Sequence, residues 1–242
     1  PGALMTTTQR HLASLLFMMT GMLGLSACEQ QEDLQIAAAQ ECIDTARTSA
    51  DADRCYTSVA GLESEKAYLI RCSSHYIAQG FTGSRFASAF QRLKDGATSG
   101  QDPMATAMAY MVFANSSTTH SADNAVTDCT RSGVRSMQRL ATMTKLATFI
   151  SNAGLGSIPD PTSPSFNPSQ ISTAITNLVN SNDPTSNSSV GTIAQQASTA
   201  YCNAGSSFKD GEVCKNIQNA INAGGSDSAA IGRALLQQLQ SI

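Results

Sequence analysis

The chain has no tryptophan, and aromatic residues fill only 5% of its 242 positions. Charged side chains are also scarce, at 14% against about 25% in typical soluble proteins. Ser, Thr, Asn and Gln supply the polar surface instead. There is no basic excess: the formal net charge is −3, which leaves no electrostatic footprint for nucleic acid or for anionic lipid. No run beyond residue 28 reaches the roughly 20 apolar residues that a membrane-spanning helix needs. Sustained period-two alternation of Val, Ile and Tyr is missing as well, so strands are not expected. Gly-x-Ser-x-Gly, His-Glu-x-x-His and phosphate-cradling glycine loops are all absent. Nor is there a Cys-x-x-Cys. Cys72-x-x-His75 puts two ligand types one helical turn apart, and two ligands do not make a zinc site. Neither a metal nor a cofactor is expected.

What is present begins with an address. Met5 opens a short polar segment carrying Arg10 and His11, and residues 12–25 are dominated by Leu, Met, Phe, Ala and Gly. That run is long enough for export and too short to span a bilayer. It ends in Leu25-Ser26-Ala27-Cys28 and turns polar at Glu29, Gln30, Gln31, Glu32 and Asp33. These four residues resemble the bacterial lipobox. The resemblance implies that Cys28 is acylated, becomes the mature N-terminus and anchors the chain to a membrane of the cell envelope. Two or three acyl chains hold stably, at about 0.8 kcal/mol per buried methylene. By the sorting preference of such lipoproteins, Glu29 after the cysteine points to the outer membrane. Residues 1–27 are therefore read as a leader remnant (Pro1 to Leu4) and a signal peptide. The mature part carries 14 basic and 18 acidic side chains.

With Cys28 assigned to lipid, six of the seven cysteines remain, and an even set in an exported chain favours three disulfides. Cys42 and Cys55 are symmetric about the break at Thr48-Ser49, and Cys202 and Cys214 about Phe208, so a helix pair turning at each point brings them face to face. Cys72 and Cys129 are left for each other.

Helical spacing recurs along the body: 30–47, 52–60, a third helix capped by Ser64, a fourth marked by Phe86, Ala89, Phe90 and Leu93, and a central one opened by Asp102-Pro103. A short helix around Cys129 and a long one over about 133–152 follow. Five of the seven prolines lie between Pro159 and Pro184, so 153–168 reads as a linker or surface loop. Beyond it helices are expected after Asn167-Pro168, up to Cys202 following a polar break at 181–188, and over 210–223 and 227–240, the last capped by Ser226. The expected organisation is an N-terminal helical domain over 28–152 and a C-terminal helical segment, 169–242, packed on it. The fold class is all-α: stacked antiparallel helical hairpins, either tetratricopeptide-like or an irregular bundle, stapled by disulfides. Leu69, Cys72, Ser73, Tyr76 and Gly80 fall at spacings similar to a tetratricopeptide repeat. Arg85 departs from the pattern, and no second copy recurs about 34 residues on.

Chemistry-bearing residues are few. Ser206-x-x-Lys209 matches a serine-activating spacing without its companion motifs, and reads as a solvated turn. His75 reads as a partly buried structural residue and His120 as part of a solvated polar loop. Asp51/Asp53 and Glu63/Glu65 complement helix starts. Met104, Met108 and Met111 share a face and read as core. Arg131, Arg135 and Arg139, spaced by four, form a stripe on one helix that could dock an acidic partner. The leading expectation is a non-enzymatic, membrane-anchored scaffold that binds a protein partner. A small-ligand receptor with an apolar pocket near Met108, Tyr110 and Phe113 comes second. An enzyme comes third, since it requires His75, a carboxylate and a hydroxyl to meet in one cleft.

Overall fold

The computed structural model describes residues 31–81, 103–114, 119–157, 160, 163, 166, 167, 169–202 and 211–241, and these form an all-α fold with no strand among them. The lipobox with Cys28, the expected fourth helix, the Asp102 cap, the Met104 side chain and Ser206/Lys209 lie outside the described residues. The helices are α1 (31–45), α2 (Ser49–Ser58), α3 (Glu65–Ala78), α4 (Pro103–Met111), α5 (Ala122–Arg131), α6 (Arg135–Leu155), α7 (Gln170–Ser181), α8 (Pro184–Tyr201), α9 (Glu212–Gly224) and α10 (Ser228–Gln240).

Local chemistry sets where they start. Thr48 caps α2 through a capping box with Asp51, which satisfies two otherwise orphaned backbone donors. The Asp51 carboxylate accepts from the Arg47 and Thr48 backbone and from the Thr48 and Arg54 side chains, and these bonds lower its pKa to about 2. Ser64 caps α3 as expected. Two starts differ from the sequence reading. The polar break at 181–188 shrinks to Asn182 and Asp183, because Asp183 caps α8 and Pro184 occupies its first turn, the same Asp-Pro start signal that was read at 102–103. The last helix is capped by Asp227, which accepts from Ala229 N, rather than by Ser226.

Packing follows chain order and then doubles back. Helix α2 lies on α3, α3 on α5, α5 on α6, and α6 on both α7 and α8. Helix α10 packs against α8, α9 and α7, while α4 lies against α6 and α7. One large apolar cluster joins Met108 of α4, Ile150 of α6, Ile171 and Ile175 of α7, Val190 of α8, Ile217 of α9 and Ile231 and Leu236 of α10. Each fully buried aliphatic side chain there contributes about 1.5–3 kcal/mol. A smaller cluster around Tyr76, Phe81 and Phe113, with ring centroids 5.1–5.6 Å apart, ties α3 to the segment after α4. A third, of Ala39, Val59, Ala67 and Ile70, seats α1 and the end of α2 on α3. Phe166, from the proline-rich stretch, packs its ring 5.3 Å from that of Tyr110.

The three disulfides are Cys42–Cys55, Cys72–Cys129 and Cys202–Cys214, with Cα–Cα distances of 5.6, 4.8 and 5.4 Å. The first joins α1 to α2 and the second joins α3 to α5. Helices α8 and α10 approach closely at two glycines. A Cβ added at Gly191 would lie 1.8 Å from Ser228 O, and one at Gly232 would lie 1.8 Å from Asn187 O. Only hydrogen-bearing glycines allow the two helices to touch there. No helix among the described residues is long and apolar enough to cross a membrane.

Candidate functional site

The Cys72–Cys129 bridge fixes the register between α3 and α5, and that register assembles the main polar cluster. Next to Cys72 on α3 stands Arg71, and one turn on stands His75; beside Cys129, on α5, stands Asp128. His75 Nε2 donates to Asp128 Oδ2 at 2.9 Å, and Arg71 Nε lies 3.7 Å from Asp128 Oδ1. On its other side His75 Nδ1 meets His120 Nδ1 at 2.9 Å, and His120 Nε2 donates to Asp53 Oδ1 of α2 at 2.9 Å. The result is one chain, Asp128–His75–His120–Asp53. Both rings are sealed, at 0% and 1% exposure, whereas the Asp53 side chain is 55% exposed.

The walls of this cluster are equally specific. The Tyr56 ring lies 5.4 Å from that of His75 and 5.5 Å from that of His120, and the two imidazoles cross at 74°. Burial, and then the Asp128 carboxylate, push the Tyr56 hydroxyl pKa up. Gln79 Nε2 donates to His120 O at 2.9 Å and pins the turn that carries it. Buried Arg71 donates from Nη1 to Ala60 O and from Nη2 to Leu62 O, closing the turn between α2 and α3, while its guanidinium lies 4.0 Å over the Tyr68 ring. Burial lowers the His120 pKa, and the neighbouring His75 lowers it further; Asp53 opposes both.

His120 is therefore not a solvated loop residue. The turn at 119–120 docks its ring between α2 and α3, where two hydrogen-bond partners and an aromatic face replace water. His75 is a fully buried structural residue. The arginine stripe is divided. Arg131 ends α5, and the chain breaks at Gly133, whose φ of +70° lies in the left-handed region, before Arg135 opens α6. Arg131 remains exposed but has its own partner, Nη1 donating to the Tyr68 hydroxyl at 2.7 Å. Arg135 and Arg139 share the first turns of α6.

Met108, Tyr110 and Phe113 are buried in the core. The void beside Met108, bounded by Met143, Leu146, Ile217 and Leu235, measures about 20 Å³, room for about one water molecule. A larger opening lies elsewhere. Between α5, α6 and α8 runs a cleft of about 640 Å³ lined by Thr127, Thr142, Lys145, Thr192, Gln196 and Thr199 among others. Thr127, Thr142, Thr192 and Thr199 each donate their hydroxyl back to a carbonyl of their own helix, so these hydroxyls present lone pairs to the cleft. Lys145 Nζ pairs with Asp123 Oδ1 at 2.8 Å at its edge. No histidine lines this cleft. Among the described residues no three His, Cys, Asp or Glu side chains converge as metal ligands.

Part of this was legible beforehand. The expected Cys72–Cys129 pairing sets α3 beside α5, but it does not by itself turn Asp128 toward Arg71 and His75. Asp53 and His120 carried no such signal, because neither spacing nor periodicity links residues 53, 75 and 120. Comparison with protein families, with curated proteins and with solved structures gives no match.

Proposed function

We propose that this chain is a non-enzymatic binding protein of the bacterial envelope, anchored through lipid on Cys28, which holds a protein partner against its helical body. The observation that carries this reading is the separation of the buried histidine chain from the 640 Å³ cleft between α5, α6 and α8. The two mature-chain histidines are spent on each other and on two carboxylates inside the fold. The 640 Å³ cleft presents hydroxyls, amides and one ion pair, without a base or nucleophile pair. Such a surface can orient and retain a polar segment, and its one carboxylate, Asp123, is held by Lys145. Arg135 and Arg139, in the first turns of α6, suit an acidic stretch of that partner.

The test is site-specific photocrosslinking in native membranes. A photoreactive side chain replaces exposed Gln196 in the cleft, or exposed Asn222 on α9 as a control. One discrete adduct from position 196 and none from 222 is expected, weakened when Arg135 and Arg139 are changed to Glu. Equal labelling from both positions, or none from either, would overturn the binding role. Mass spectrometry of the same preparation reads the anchor, and a free Cys28 thiol would refute it.

A second reading is favoured by the cleft volume, which falls within the roughly 300–1,000 Å³ of small-molecule sites. On that reading a small polar ligand sits there rather than beside Met108. Native mass spectrometry of wild-type protein and Thr142→Arg would separate the two, since a co-purifying ligand mass lost in the variant belongs to the receptor reading.

A further inference from the structure

We propose that the Asp128–His75–His120–Asp53 chain is a proton-dependent latch that fastens the α1–α2 hairpin to α3 and α5 and is released by acid.

A carboxylate only accepts, so His75 Nε2 and His120 Nε2 must each carry a hydrogen to reach Asp128 and Asp53. The contact between the two Nδ1 atoms at 2.9 Å needs one hydrogen between them. Three protons therefore lie along the chain, one more than two neutral imidazoles hold. Burial and the facing His75 disfavour a charged His120, so the arrangement that satisfies every link has His75 donating from both nitrogens. His120 is then the neutral tautomer with its hydrogen on Nε2.

Each neighbouring proton count breaks a link. A fourth proton sets two N–H groups of two cations face to face across 2.9 Å and ends the central bond. Removing the third leaves two lone pairs opposed there. Free histidine titrates near 6.5, so acidification of an unlatched pair fills all four nitrogens. Because the folded pKa of His120 is depressed, the folded state binds fewer protons than the unfolded chain below about 6.5, and latch stability falls as pH drops through that range. The charged and titratable groups facing the pair are Asp53 and Tyr56 from α2, Arg71 from α3 and Asp128 from α5. Asp53 reaches solvent and gives the proton its entry.

The seam this latch closes is the one the disulfides leave open. Cys42–Cys55 holds α1 to α2 and Cys72–Cys129 holds α3 to α5, but neither crosses from one pair to the other. Among the described residues, an apolar cluster of Ala39, Val59, Ala67 and Ile70, the Arg71 bonds to the α2–α3 turn and an exposed Lys66–Asp33 ion pair at 3.8 Å also cross it.

Hydrogen exchange on the oxidised full chain at pH 7.0 and pH 5.0, corrected for intrinsic rates, tests this. Protection of α2 and of residues 119–121 is expected to fall at least tenfold on acidification, with α8 and α10 unchanged. His120→Asn should abolish the pH dependence. Asp53→Asn, at an exposed site that leaves the core intact, should shift its midpoint, and this variant carries the test even where His120→Asn fails to fold. Imidazole nitrogen resonances should report three ring protons on the pair at pH 7.0. A uniform change across all helices, the same pH dependence in Asp53→Asn as in wild type, or two ring protons at pH 7.0 would each overturn the latch.

Discussion

Asp128 stands where two donors converge, His75 Nε2 at 2.9 Å and Arg71 Nε at 3.7 Å, and its side chain is only 10% exposed. Truncating it would leave the buried His75 imidazole without its acceptor and the buried Arg71 guanidinium without its counter-charge, a loss of about 3–5 kcal/mol in other buried pairs. Asp53 ends the same chain in solvent, where such a pair contributes about 1 kcal/mol or less. Urea unfolding of Asp128→Ala and Asp53→Ala is expected to show that order, with the inner carboxylate costing several times more. Equal losses would mean that the chain draws no strength from burial. The two sites look alike in sequence, both being aspartates near a helix start or end. Their difference is created by which face of the helix each occupies once the other helices are in place.

At the scale of elements, the α8–α10 crossing is set by two glycines, Gly191 and Gly232. Each would drive a Cβ to 1.8 Å from a carbonyl oxygen of the opposing helix. The obstruction is backbone, which cannot rotate aside. Gly191→Ala and Gly232→Ala are therefore expected to destabilise by about 3 kcal/mol or more, at the top of the overpacking range. Gly61→Ala, with no atom within 4 Å of the added carbon, should change stability by less than about 0.5 kcal/mol. Denaturant midpoints measure all three, and a Gly191→Ala midpoint equal to wild type would contradict the close approach. Sequence signals fared well for elements and poorly for their contacts. Thr48, Ser64 and the apolar spacing placed most helices within a few residues. Gly191 and Gly232 read only as weak helix formers, since a close approach belongs to two elements at once and neither sequence window contains the other.

For the whole molecule, the pairing of cysteines was readable because hairpin symmetry relates positions close in sequence, and Cys72–Cys129 then followed by elimination. That bridge closes 57 residues. In the chain-entropy picture its removal costs about 4 kcal/mol, against about 3 kcal/mol for Cys42–Cys55. The double variant Cys72→Ser, Cys129→Ser should thus lose more in thermal or urea unfolding than Cys42→Ser, Cys55→Ser. It should also release the register that sets Asp128 against His75. A smaller loss than for the short loop would contradict that account. The buried histidine chain, by contrast, could not be read from the sequence, because its four members sit on three helices and a turn and meet only after the global arrangement is complete.

The order of the three bridges along the chain has a consequence for assembly. They do not interleave: counted from Cys42 onward, each cysteine is joined to its nearest successor or predecessor. An oxidant that joins thiols in order of emergence would reach the native set without reshuffling. The scheme depends on where counting begins. A reactive thiol at Cys28 would shift the frame by one, pairing 28 with 42, 55 with 72 and 129 with 202, and leave Cys214 single. With that first sulfur blocked, pairing in order of emergence yields the three bridges seen here.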